Sequence, residues 1–134
     1  MSSYRHIVLF QFKADAPASK VQAIVDAFKA LPGKLPSIQA FECGTNVSPE
    51  GLDQGFTHIF TVTFASKEVL EKQYLHEPAH QAFVAMLGGV LEKALVVDYV
   101  AALGRDEVTR GQGDTWARER VEEGVGHGGV SAAC

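Results

Sequence analysis

Cysteine is scarce in this chain, with two among 134 residues: Cys43 inside a strand-like stretch and Cys134 at the chain end. Two cysteines exclude a disulfide framework, and no Cys/His spacing matches a structural zinc site. Cys134 is the last residue, so it does not form a prenylation box either. Basic charge is short as well. The net charge of -4 and pI near 5.7 remove any bulk electrostatic attraction to nucleic acid or anionic lipid. Long apolar runs are also missing, since none approaches the roughly 20 residues that span a bilayer. The start, Met1 to His6, leads directly into a strand pattern instead of a signal-peptide apolar region. The expected location is therefore cytoplasmic, with neither membrane nor nucleic acid as a partner. What remains is an ordinary globular composition, 46% hydrophobic and 21% charged, at a length that suits one domain.

Periodicity orders the elements. From Tyr4 to Phe12, His6, Val8, Phe10 and Phe12 share one strand face and Ile7, Leu9 and Gln11 the other, so both faces are largely apolar. Neither face is built for water; one should lie under helices and the other should meet a second sheet. Val21, Ile24, Val25, Phe28 and Leu31 form a helical apolar stripe, which the pair Pro32-Gly33 is expected to end. A second strand is read over 37–47, with Phe41, Cys43 and Thr45 on one side. In the third, His58, Phe60, Val62 and Phe64 alternate with Thr57, Ile59, Thr61 and Thr63. Ser66 caps a helix toward Tyr74, and Pro78 opens another that should carry Phe83, Met86, Leu87, Val90 and Leu91 inward, with Gly88-Gly89 allowing close packing. The last strand is expected over 95–101.

This βαββαβ order is the ferredoxin-like split βαβ arrangement, an α+β fold with a four-stranded antiparallel sheet and both helices on one face. The opposite face, bearing Ile7, Leu9, Ile59 and the threonines, is too apolar to stay wet. A homodimer closed sheet to sheet is expected. Residues 1–103 make this domain. Residues 104–134 hold seven of the 13 glycines, many charges and few aliphatics, and read as a disordered tail with a short helix over 114–123 and Trp116 as an anchor.

Four of the five histidines fall in core-like regions, and Tyr74-Leu75-His76-Glu77-Pro78-Ala79-His80 sets a phenol and two imidazoles around a proline-started helix. Imidazole gives and takes protons near neutral pH, so this grouping points to acid/base chemistry or polar ligand binding. Asp98, within Leu95 to Val100, would be costly without a partner, and a histidine is expected to supply it. The blander alternatives are a satisfied structural histidine for His6 and His58, a local carbonyl contact for His80, a core aromatic for Tyr74 and a surface ion pair for Asp98. His76 reads as solvent-facing. Because neighbouring strands run antiparallel, His6 and His58 can lie toward opposite ends of the sheet.

The segments Arg5 to Phe10, Gly55 to Ile59 with Val62 to Phe64, Tyr74 to His80 and Val97-Asp98-Tyr99 resemble the stress-responsive dimeric α/β-barrel (Dabb) family over about 4–101. The resemblance implies a ferredoxin-like subunit and a dimeric α/β barrel. It does not imply one activity, because the family includes stress-induced proteins, ring-forming proteins, a hydroxynitrile lyase and a polyketide cyclase that works by aldol condensation without metal or cofactor. Likeness to the cyclase implies Tyr74 and His80 as catalytic residues and matches His6, His58 and Asp98. The chain departs from it at Glu77, where the cyclase pattern has histidine. In this reading His80 is the base, Tyr74 the donor and Asp98 the partner that orients His80, all three converging on a cavity beneath the second helix. His58 lines its wall, His6 lies nearer its rim, and Phe10, Phe28 and Phe60 complete the substrate-binding set. No cofactor and no metal are called for. Two other classes stay open: a non-catalytic stress or assembly protein, and a dimeric-barrel monooxygenase or haem-binding protein.

Overall fold

The computed structural model describes residues 3–102. Its elements are β1 (Tyr4–Phe12), α1 (Ala18–Lys34), β2 (Ala40–Thr45), β3 (His58–Phe64), α2 (Lys67–Lys72), a 3-10 turn (Tyr74–His76), α3 (Pro78–Ala85) and β4 (Leu91–Val100). The strands form one sheet in the order β2-β3-β1-β4, every neighbouring pair antiparallel. This is the expected ferredoxin-like arrangement. The expected tail, with its short helix and Trp116, lies outside the described residues.

β1 occupies the middle of the sheet because its alternation serves two layers. Tyr4, His6, Val8 and Phe10 are buried against the helices, while Ile7 and Leu9 are half-buried on the outer face. The register sets Ile7 beside Thr61 and Val97, and Leu9 beside Ile59 and Leu95, so one apolar strip crosses β3, β1 and β4. β4 is an edge strand, and Leu95, Val97 and Tyr99 on this outer face stand exposed in the protomer.

On the inner face the core is aromatic. Phe28 from α1 stacks on Phe60 of β3 at 4.4 Å between ring centroids, and Phe83 of α3 approaches Phe28 at 4.6 Å. Phe10 packs on Phe60 at 5.4 Å. Side chains of this size bury 150–250 Å2 each, so a few rings account for much of the driving force.

Three boundaries differ from expectation. Pro32-Gly33 does not stop α1, which runs to Lys34 with Pro32 inside it. An interior proline costs about 3 kcal/mol. Burying Leu31 and Leu35, each 2% exposed and tied by the Leu35 N–H to Leu31 carbonyl bond, offsets that at roughly 1.5–3 kcal/mol per side chain. α3 ends at Ala85, so Gly88-Gly89 belongs to a turn and not to a helix. Gly89 takes φ 78°, a left-handed conformation that suits glycine. That turn starts β4 at Leu91, earlier than the expected residue 95, and buries Val90 while leaving Met86 exposed. β2 is shorter than 37–47, although Gln39 N–H to Thr63 and Asn46 N–H to Thr57 extend its pairing by one bond at each end.

Candidate active site

The register of β1 against β4 sets His6 directly opposite Asp98 on the inner face. Asp98 Oδ1 lies 2.7 Å from His6 Nδ1, and the Tyr4 hydroxyl donates to Oδ2 at 2.9 Å. Both carboxylate oxygens are thus engaged, in a site where the His6 and Asp98 side chains are 10% and 23% exposed. Partial burial is what strengthens such a charge-assisted contact over its surface equivalent.

α2 and the 3-10 turn bring the next member. Ser66 caps α2 by accepting the Val69 N–H, and the chain then tightens so that Tyr74, 1% exposed, drops onto the sheet. Its ring meets Phe64 at 4.8 Å, His6 at 5.9 Å and His80 at 4.4 Å between centroids. His80 sits in the first turn of α3, where Pro78 at the start has no N–H to leave unpaired. The order in space is therefore Tyr4, Asp98, His6, Tyr74, His80.

His80 is half-buried, and its Nδ1 is buried with no hydrogen-bond partner among the described residues. Burial holds its pKa below the ordinary 6.5; the Leu75 carbonyl pulls the other way, and His6 adds to the lowering. The ring is accordingly neutral at pH 7 and able to accept a proton. Burial raises the pKa of Tyr74 well above 10, so its hydroxyl keeps its proton and acts as a donor. Tyr4 is raised as well, first by desolvation and then by its bond to Asp98. A base beside a protonated phenol can remove a proton next to a carbonyl and stabilise the oxygen that gains charge.

Several expectations need correction. Asp98 pairs with His6, not His80, because β1 and β4 are adjacent with residues 6 and 98 in register, whereas His80 stands beyond Tyr74. His6 is not at a rim, being 8% exposed. Tyr74 is enclosed by rings instead of facing a cavity. A cavity of about 610 Å3 among the described residues lies elsewhere, lined by residues that include Gln11, Phe12, Val21, His58 and Glu92, and not by Tyr74, His80 or Asp98.

His58 does share the inner face, but it opposes Phe10 in the register while Val62 opposes His6. Four steps along a strand put the two histidines roughly 13 Å apart. The His58 Nδ1 lies 2.8 Å from the Thr57 hydroxyl, its ring takes an edge contact with Phe12 at 5.1 Å, and burial lowers its pKa. Phe10, Phe28 and Phe60 are 3%, 2% and 0% exposed, within the core cluster. His76 faces solvent. Tyr4 is a site residue that the sequence does not single out. Its parity with His6 was visible, but its reach to Asp98 depends on which strand lies beside β1.

Among curated proteins, the chain is 38% identical over 95 residues to the stress-response A/B barrel domain-containing protein HS1 of Arabidopsis thaliana, covering 71% of this chain and 86% of that one. It is 27% identical over 95 residues to olivetolic acid cyclase of Cannabis sativa, covering 71% and 93%. Among solved structures, At3g17210 of Arabidopsis thaliana superposes with a TM-score of 0.69 at 36% identity, over 75% of this chain and 97% of that one. A protein of Bacteroides fragilis, described as dimeric with a ferredoxin-like fold and of unknown function, superposes at 0.58 and 27% identity, over 72% and 94%. The stress responsive A/B barrel domain pattern (Dabb) matches residues 4–101, nearly all of the described chain, and the chain belongs to that family.

Proposed function

We propose that this chain is a cofactor-independent acid/base catalyst of lyase or cyclase type, acting on a small carbonyl compound. The observation that carries the reading is the Tyr74–His80 pair: a neutral imidazole with a buried, unpartnered nitrogen, 4.4 Å in ring separation from a phenol that keeps its proton. In this reading His80 removes the proton alpha to the carbonyl and Tyr74 donates to the resulting enolate oxygen. Such a positioned base is typically worth 10²- to 10⁴-fold. His80, the half-buried member, is the point at which substrate reaches the array. The name of the 27% identical relative, a cyclase, agrees with this class of chemistry. The protomer works as a homodimer closed through the face bearing Ile7, Leu9 and Ile59, in keeping with the dimeric description of the Bacteroides fragilis structure.

A second reading is a non-catalytic stress or assembly protein. It is favoured by the closed aromatic core and by the 1% exposure of Tyr74. The two readings separate on the elementary step. With the full chain and an aryl methyl ketone in D2O, NMR should show α-proton exchange above the buffer rate, reduced at least about 100-fold in His80→Ala. Exchange at the buffer rate across a panel of such ketones would favour the non-catalytic protein.

A further inference from the structure

Tyr4 is the one member of the array to which the expected chemistry gives no part. It is 7% exposed, two residues before His6 on the same face of β1, and its hydroxyl donates to Asp98 Oδ2 at 2.9 Å. We infer that Tyr4 is a positioning residue: by occupying Oδ2 it fixes the Asp98 carboxylate so that Oδ1 receives the His6 Nδ1–H, and whenever the ring carries a single proton that proton sits on Nδ1 and Nε2 is bare. The inference extends the reading of the array as an acid/base site.

The argument rests on carboxylate geometry. A carboxylate on an edge strand can rotate about its side-chain bonds and offer either oxygen to a neighbour. Asp98 sits on such a strand: among the described residues β4 is the sheet edge, paired with β1. Without Tyr4, Oδ2 would turn to water at a side chain already 23% exposed, and among the described residues the His6 contact at Oδ1 would be left to hold the carboxyl plane. With Tyr4 in place, one oxygen is held and the other lies 2.7 Å from Nδ1. A carboxylate oxygen only accepts, so at that distance the proton resides on Nδ1. A carboxylate that fixes an imidazole tautomer in this way acts through the ring it orients, as in catalytic triads. Here the oriented ring is His6, which lies 5.9 Å from the Tyr74 ring between centroids, at 70° to it. The ionisable groups acting on this cluster are Glu71, which bears on Tyr4, and His80, which is coupled to His6.

Nitrogen-15 NMR of the histidine side chains in the full chain tests this without a substrate. At a pH where His6 is neutral, its Nδ1 should show the protonated shift and Nε2 the bare, pyridine-like shift, with a downfield Nδ1 proton. In Tyr4→Phe the Nδ1 proton should broaden and the two nitrogens should drift toward a mixture of tautomers. α-Proton exchange should fall about tenfold, the scale of one lost hydrogen bond to a charged group. A wild-type His6 protonated on Nε2 overturns the inference at once, even if Tyr4→Phe fails to fold. So does a folded Tyr4→Phe with an unchanged His6 spectrum. Because these spectra need no turnover, a protein with no exchange activity and an intact Tyr4 effect would sink the catalytic reading while leaving this one standing.

Discussion

The two ends of the helix-covered sheet face each hold a histidine, and they differ in what surrounds it. At one end His6 is bonded to Asp98, and aromatic rings link it through Tyr74 to His80. At the other, His58 leans on Phe12, touches the Thr57 hydroxyl and faces a cavity of about 610 Å3. Both rings sit on the inner face of the same sheet. Between their two levels in the register lies the Val8–Phe60 pair, with Phe28 stacked on Phe60 and Phe10 opposite His58. Position on a face therefore says little about chemistry; a histidine becomes part of a site through the donor, acceptor or carboxylate that the register sets opposite it.

The aromatic core is where a substitution should cost most. Phe60→Ala removes the 0% exposed ring on which Phe28 stacks and should lower stability by about 3–5 kcal/mol in denaturant unfolding. A loss below about 1 kcal/mol would mean that the core relaxes around the gap and that the two ends are not separated by rigid packing. Next in size is assembly: Ile59→Asp puts a charge in the outer apolar strip and should turn a dimer into monomer or aggregate. Light scattering of a folded protein with unchanged mass would move the interface off that face.

A smaller effect comes from pH and bears on both ends. His80 and His58 have folded pKa values below 6.5, so between that value and their folded values the unfolded chain binds more protons. Their contribution is fully present above pH 6.5 and is lost as pH falls below it. Tyr4 and Tyr74 are raised above 10, so on the alkaline side the folded chain holds the extra protons and stability falls as pH rises past 10. Melting temperature should peak between these limits. In His80→Ala and His58→Ala the acid side should each flatten; if only one does, only that ring is desolvated as described.

Much of this was legible in the sequence, for reasons tied to local physics. Strict alternation in β1 and β3 gave the faces of His6, Phe10, His58 and Phe60, and the stripe Ile24, Val25, Phe28, Leu31 gave the buried side of α1. Ser66 announced its own cap. What could not be read depends on distance along the chain. Asp98 was expected to need a histidine, but choosing His6 over His80 requires knowing that β4 lies beside β1. The same fact hides Tyr4. The end of α3 is hidden in the sequence because Leu87, Val90 and Leu91 continue a helical spacing while Gly89 takes a left-handed turn. The breaking tendency of Pro32 is outweighed by the burial of Leu31 and Leu35.

The unequal ends can be tested in one assay. α-Proton exchange of an aryl methyl ketone should be measured with the full chain, His80→Ala and His58→Leu side by side. The account predicts a fall of at least about 100-fold in His80→Ala and a change within about twofold in His58→Leu. A rate that survives in His80→Ala and collapses in His58→Leu would place the working site at the cavity end and contradict the account.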